Sequence, residues 1–477
     1  MSSESSTSCS LNALQKLATF VSEKDFHLTP DSQVSIRDAL IDTLGCIVVG
    51  MKEDSAAKAL LGVQDWGMGS STVFGTGITL AAPWAAFVNA TAGHSLDFDD
   101  WESPGNTHIS VVLIPALLAV ASTKETSGRD ILIAYAAGFE VIARLGEAMN
   151  FDHYAMGWHS TATLGAIGAA ASVAKLLGLT AEETANALSI ASSQASGYTC
   201  QFGSDAKPLQ AGFAAKSGVF AAKLAKSGLN GQTHVFDAPN GLKTLMSHGD
   251  TQRFNRPFEE FPWETLAIDQ YGLAVKAYPC CGYTHRLIDC AIQIRKNSEF
   301  DPMEVKSVTA SLPDFHSNIL PFQQPANRSE ALFSAPFCIA VTLLGRIPTL
   351  LEIHRRAWEE PVVKELISKV TKVARVPANP ALNYDAIDPD WVEVLMNDGT
   401  VHRAEVAFPL GAPENRMSSE QIMDKFMLNA KIASNLKSNS PESFYLNVTS
   451  LLKWTDSEDI NILLDEVNNS FIIPAQP

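Results

Sequence analysis

Apolar and small residues recur at helical spacing through the first half of the chain, over residues 34–50, 80–93, 109–123, 130–149, 161–177, 183–196 and 209–226. Turns bearing Gly, Pro or Asn separate these runs, so each predicts a helix. Thr180 followed by Glu183 reads as a capping box opening one of them. Ala and Gly crowd residues 162–222, where small side chains let helices approach closely, as in the middle of a large bundle. Residues 1–269 therefore read as all-α.

The period then changes. Residues 271–278 and 305–312 alternate or carry β-branched side chains and predict strands, while 391–396, the turn Asn397-Asp398-Gly399 and 400–408 predict a hairpin. Helical runs at 284–296, 332–345 and 360–371 fall between them. Helical periodicity returns after 418, in IMDKFMLNA (422–430) and SLLKW (450–454). The pattern predicts a mainly α protein: a large helical domain built from residues 1–269 and 409–477, with a smaller α+β domain, 270–408, inserted as a lid over a cleft.

Composition narrows the partners. A 477-residue chain that is 46% apolar and 18% charged, with no low-complexity tract, has the make-up of a folded globular protein with a large core. Its 35 basic and 52 acidic residues leave a net charge of -17, which argues against nucleic acid or an anionic membrane surface. The seven cysteines are scattered without C-x-x-C spacing, as in a reduced, cytoplasmic protein without a zinc site. The first residues lack a signal-peptide pattern, and the apolar run 109–121 is too short to span a bilayer and contains Pro115.

Candidate chemistry gathers in TAGHSLDFDDWESPGNTH, residues 91–108, where Asp97, Asp99, Asp100, Glu102, His94 and His108 lie between long apolar stretches. Such a segment is either a wet surface loop or a site. His108, His159, Lys207 and His285 each stand at the start of a predicted helix, and Pro208 suits a first helical turn while biasing Lys207 toward an extended backbone. Helix N-termini converging with a lysine make an anion site within an acidic protein. A histidine at a helix start is more often a cap, however, and spacing alone does not bring these residues together. Rival motifs fail: Gly75-Thr76-Gly77 lacks a third glycine, position 80 being Leu80, and no Walker loop, His-Glu-x-x-His or Gly-x-Ser-x-Gly occurs. AspPheAspAsp at 97–100 also fits the acid motif of class II terpene cyclases, but only 8% of the residues are aromatic, too few for such a cavity.

HSLDFDD (94–100), PGNTH (104–108), GWHSTATLG (157–165), FGSDAKPLQAG (202–212), KAYPCCGYTH (276–285) and SEALFS (329–334) resemble, in the same order, the motifs of the MmgE/PrpD family. That family includes 2-methylcitrate dehydratase, cis-aconitate decarboxylase and iminodisuccinate epimerase. The resemblance implies a helical domain formed by both chain ends, an α+β lid, a homodimer, and a site between the domains that needs no cofactor or metal. Carried over by position, the site residues are Asp97, His108, His159, Lys207, Lys276 and His285. Two positions depart from the animal decarboxylase: Trp101 replaces a threonine, and Cys281 replaces a histidine, as in the fungal enzyme.

The resemblance implies a lyase acting on a small polycarboxylate. Decarboxylation of a cis-aconitate-type acid is the first expectation, dehydration of a 2-methylcitrate-type acid the second and epimerisation the third. A non-catalytic polycarboxylate-binding protein is the alternative outside enzymes. In this reading Lys207 and Lys276 hold substrate carboxylates, His108 and His159 exchange protons, Asp97 orients an imidazole, and His285 reaches in from the lid.

Overall fold

The computed structural model describes residues 11–434 apart from residue 24, together with Ile460 and Asp465. Among the described residues the first body is built mainly from α1 (Ala13–Glu23), α2 (Pro30–Gly50), α3 (Asp54–Val63), α4 (Ala82–His94), α5 (Ser110–Ala121), α6 (Gly128–Ala155), α7 (Ser160–Leu176), α8 (Ala181–Ser192) and α9 (Ala206–Lys226). All seven predicted runs are present. α1, which buries Leu14, Leu17, Phe20 and Val21 along one side, and the short α3 add to them. The capping box is formed, with Thr180 accepting from the Glu183 backbone and Glu183 from that of Thr180.

α5 lies at the centre. Its twelve residues are all buried, so it is apolar on every side, and α4, α6, α7 and α9 pack around it. Close packing depends on glycine: a Cβ on Gly168 of α7 would lie 2.3 Å from the Ile142 side chain of α6, and one on Gly218 of α9 would lie 2.3 Å from the Ala169 Cβ. This apolar core runs through residues 13–275 and takes in Ile422, Met423, Phe426 and Ile460. The helix Ser419–Ser434 returns to it by packing on α2. The run SLLKW lies outside the described residues.

A second core occupies residues 278–406. Its sheet, in the order β4–β3–β5–β6, comprises β3 (Val305–Pro313), β4 (Val370–Arg375), β5 (Asp390–Met396) and β6 (Val401–Val406), numbered after a small ribbon of β1 (Ser71–Val73) and β2 (Ile78–Leu80) in the first body. β3 runs parallel to β4 with Val308 opposite Val370, and antiparallel to β5 with Val308 opposite Val394. β5 and β6 form the predicted hairpin, turned at Gly399 with φ 89°. Burial alternates along β5, as expected of a strand with one face in the core. Helices His285–Asn297 and Ala335–Leu343 cover the sheet. The predicted run 360–371 divides into the helix Pro361–Lys369 and β4.

The strand expected at 271–278 does not form. A short helix ends at Tyr271, Gly272 turns the chain with φ 69°, and the following residues cross between the two cores. There Ala274 pairs in an isolated bridge with Trp101, and the Val275 N–H donates to the Gly411 carbonyl at 2.9 Å. The alternation marks a segment buried from both sides, not one paired along its length. Among the described residues no helix is long and apolar enough to cross a membrane.

Candidate active site

α4 ends at His94, and the chain then turns sharply. Asp97 takes a left-handed backbone, φ 51°, with its N–H donating to the His94 carbonyl at 3.2 Å. A non-glycine residue in this region is strained and recurs at functional sites. The turn sends two carboxylates to different partners. Asp97 lies between two ammonium groups, with Lys207 Nζ 2.5 Å from Oδ1 and Lys276 Nζ 3.1 Å from Oδ2; Lys276 also donates to the Asp97 backbone carbonyl at 2.9 Å. Asp99 faces two imidazoles, His94 Nδ1 at 2.9 Å and His108 Nδ1 at 3.1 Å. His108 Nε2 is 3.7 Å from Asp97. The main acid beside the imidazoles is thus Asp99, whereas Asp97 chiefly holds the lysines.

These contacts select tautomers. Lys207 donates to His94 Nε2 at 2.9 Å, which leaves the His94 proton on Nδ1, toward Asp99. His159 caps α7, and its Nδ1 is 2.6 Å from Gln210 Oε1. Gln210 donates its amide to the Tyr198 carbonyl at 3.2 Å, an orientation that makes its oxygen the acceptor for His159 Nδ1–H. His159 Nε2 is then a bare lone pair, buried and without a hydrogen-bond partner. Ring centroids lie 4.5 Å apart for His94 and His108, and 5.9 Å apart for His94 and His159.

Lys207 corrects one expectation. It is the second residue of α9 and helical, not extended, because Pro208 falls in the first turn, where its missing N–H has no intrahelical acceptor to lose. None of the acids is wet: Asp97, Asp99, Asp100 and Glu102 are all buried. Asp100 accepts from the Ser110 N–H at 3.1 Å, and Glu102 accepts from the backbone N–H groups of Gly105 and Thr107, tying the loop to the start of α5. Burial pushes Asp100 well up and Glu102 up to about 7.

Burial also pushes the imidazoles of His94 and His159 down and that of His108 down to about 4, so all three are neutral near pH 7. It opposes ionisation of Asp97, but Lys207 and Lys276 outweigh it and hold that carboxyl well below the usual range. Lys276 is raised: Asp97 and Asp99 overcome the opposing effect of burial. Two carboxylates therefore balance two ammonium groups beside neutral bases.

A cavity of about 30 Å³ is bounded by Asp97, Trp101, His108, Lys207, Lys276 and Cys281, with Tyr154, Phe202, Tyr283 and Phe333 among the rest of its wall. Burial pushes the Cys281 thiol up to about 12. His159 stands behind this wall, against Phe202 and His94. His285 departs from expectation. Its Nε2 is 3.3 Å from the Cys280 carbonyl and its ring meets Tyr278 edge-on, so it braces the Cys280-Cys281 loop from within the second core and does not line the cavity.

His94, Asp99 and Gln210 join the site without having been singled out. The first two lie within the acidic stretch already marked, while Gln210 carries no local signal. His94, Asp97, Asp99 and His108 offer atoms within 4.8 Å of one another, a spacing suited to a metal. Both Asp97 oxygens already face ammonium groups, which would repel a dication from that set.

The chain matches the MmgE/PrpD N-terminal domain over residues 15–255 and the MmgE/PrpD C-terminal domain over 278–439. It is 30% identical to the cis-aconitate decarboxylase of Homo sapiens over 450 residues, 92% of this chain and 90% of the relative. Identity to the Mus musculus cis-aconitate decarboxylase is also 30%, over 409 residues that cover 83% of this chain and 80% of that one. A 2-methylcitrate dehydratase of Cupriavidus necator is 25% identical over 427 residues, 82% of this chain and 84% of its own. Matched in order by both domains over most of its length, the chain belongs to the MmgE/PrpD family.

Proposed function

We propose that the protein is a lyase for a citrate- or aconitate-type polycarboxylic acid, working without a cofactor and, as its first reading, decarboxylating a cis-aconitate-type acid. The observation that carries this is the set of neutral imidazoles packed beside two buried ammonium groups. Each ammonium has three N–H donors, so Lys207 and Lys276 can keep Asp97 and still take a substrate carboxylate. The incoming negative charge raises the neighbouring imidazoles, so His108, neutral in the free protein, gains a proton as substrate arrives.

Carbon dioxide then leaves. The electron pair of the broken C–C bond moves onto carbon conjugated with a remaining carboxylate, and an imidazolium, with Asp99 stabilising its charge, returns a proton to carbon. Dehydration of a 2-methylcitrate-type acid is the second reading: His108, which lines the cavity, would take a proton from carbon, while His159, once protonated, would have to reach the departing hydroxyl past Phe202, which stands between it and the cavity. His285 acts here only through the Cys280-Cys281 loop.

In this reading residues 270–408 form the lid and residues 1–269 with 409–477 the body, since the cavity wall draws His108 and Lys207 from one side and Cys281 and Tyr283 from the other. The working form is a cytoplasmic homodimer. Free cysteines at 46, 200, 280, 281, 290 and 338 support a reducing location, and the exposed Trp66, Phe213 and Phe220 support self-association.

The deciding experiment incubates purified protein with cis-aconitate, 2-methylcitrate and related acids in deuterium oxide and follows products by NMR. Carbon dioxide loss with deuterium on the product carbon supports the first reading, and loss of water supports the second. Solvent exchange at carbon alone would indicate epimerisation. Binding without any turnover would leave a binding protein.

A further inference from the structure

The cavity around Lys276 is small, about 30 Å³. A second cavity, about 630 Å³, lies against it and shares Asp97, Lys207 and Phe333 with its wall. Arg328, Lys52 and Glu53 also line this chamber. A polycarboxylate reaching Lys207 through it therefore shares the chamber with Arg328.

Arg328 opens a short helix, Arg328–Ala331, next to the second core, and its Nη1 donates to Glu53, which caps α3 in the first body. The ion pair thus spans the two units. It uses only part of the guanidinium: Nε and Nη2, which share one edge of the planar group, are buried and have no hydrogen-bond partner in the protein. Two N–H groups along one edge match the two oxygens of a carboxylate. Buried donors without acceptors are costly, and native proteins rarely keep them. Burial also depresses this guanidinium to about 10, an effect that a second anion would reverse. His354 Nε2 lies 3.7 Å from Glu53.

We infer that Arg328 is the outer carboxylate-binding residue of the site, capturing the polycarboxylate in the large chamber through its Nε–Nη2 edge before the acid passes to Lys207. The inference rests on the polycarboxylate reading above and goes beyond it by adding a binding residue outside the catalytic cluster. It predicts that losing Arg328 raises KM with chemistry preserved, because Arg328 touches neither the imidazoles nor Asp97.

The test uses wild type, Arg328→Gln, Arg328→Lys and Glu53→Gln, each checked by circular dichroism and thermal melting. It reads kcat and KM on whichever acid the wild type turns over, and binding of tricarballylate, a saturated tricarboxylate, by calorimetry. Arg328→Gln should raise KM and the tricarballylate Kd by about tenfold or more, the size expected for a lost charge-assisted hydrogen bond, with kcat within about twofold. Arg328→Lys, which keeps the charge without the planar edge, should fall between. Glu53→Gln, which removes the competing carboxylate charge while keeping an acceptor for Nη1, should leave KM equal or lower.

Unchanged KM and tricarballylate binding in a folded Arg328→Gln protein would overturn the inference, and so would a loss confined to kcat. If Arg328→Gln does not fold, Arg328→Lys decides on the same two readings. A wild type that neither turns over nor binds any of these acids would instead sink the polycarboxylate reading itself.

Discussion

Asp99 tests the arrangement of the site because one carboxylate serves two imidazoles there. Asp99→Asn keeps the volume but removes the charge and turns one oxygen into an N–H donor. His94 Nδ1 at 2.9 Å and His108 Nδ1 at 3.1 Å both face that group. Both distances are to the same oxygen, Oδ2, and His94 Nδ1 also lies 3.0 Å from Oδ1. An amide oxygen at Oδ2 can still face both rings but without its charge; an amide nitrogen there turns N–H toward His108, which must then carry its proton on Nε2 and loses the lone pair toward the cavity.

The charge matters as well. A carboxylate 3.1 Å from an imidazolium, at an effective dielectric of about 20, stabilises it by about 5 kcal/mol. Screening and the wrong tautomer act on the same step, so kcat should fall about 10³- to 10⁴-fold. KM should stay within about threefold, because Lys207 and Lys276 keep Asp97 as their carboxylate partner. The assay is steady-state turnover of the acid identified by NMR, with circular dichroism confirming the fold. A folded Asp99→Asn protein with kcat within tenfold of wild type would refute the assignment of Asp99 to the imidazoles.

Stability should report the buried His108. Its pKa of about 4 lies below the ordinary 6.5, so the unfolded chain takes up the proton first as pH falls, and stability is lost between about 6.5 and 4. Between pH 7 and 4 the wild type should lose about 3 kcal/mol relative to His108→Gln in denaturant titrations, and parallel curves would show that the imidazole is not desolvated. Glu102, raised to about 7, acts with the opposite sign, its folded form holding a proton longer as pH rises from about 4.5; comparing the two proteins cancels it. Gln210→Leu removes the acceptor of His159 Nδ1–H and should lower kcat about 10- to 100-fold with KM within about twofold, whereas unchanged kcat would remove His159 from proton transfer. Gly168→Ala places a methyl 2.3 Å from the Ile142 side chain in a fully buried contact and should cost about 1–3 kcal/mol, read as a lower denaturation midpoint; an unchanged midpoint would contradict the close approach of α6 and α7.

The sequence alone determined what depends on short-range pattern. Helical spacing located α2 and α4–α9, alternation around Asn397-Asp398-Gly399 located the β5–β6 hairpin, and the mass of charge between apolar runs marked residues 91–108. These features are local because backbone hydrogen bonding and one-sided burial repeat over a few residues. Tertiary structure decided which polar group meets which. Asp97 and Asp99 are alike in type and two positions apart, yet the left-handed turn at Asp97 gives one to the lysines and the other to the imidazoles.

Residues 271–278 looked like a strand because burial from two sides and pairing in a sheet leave the same alternation. His285 has the same setting at a helix start as His159, but its helix faces the second core. Gln210 became visible only once α9 lay beside the N-terminus of α7. The bond from Lys207 to His94 joins residues 113 positions apart, and no periodicity encodes it: it exists because α4 and α9 pack tightly enough to place an ammonium and a ring nitrogen 2.9 Å apart, both groups being buried.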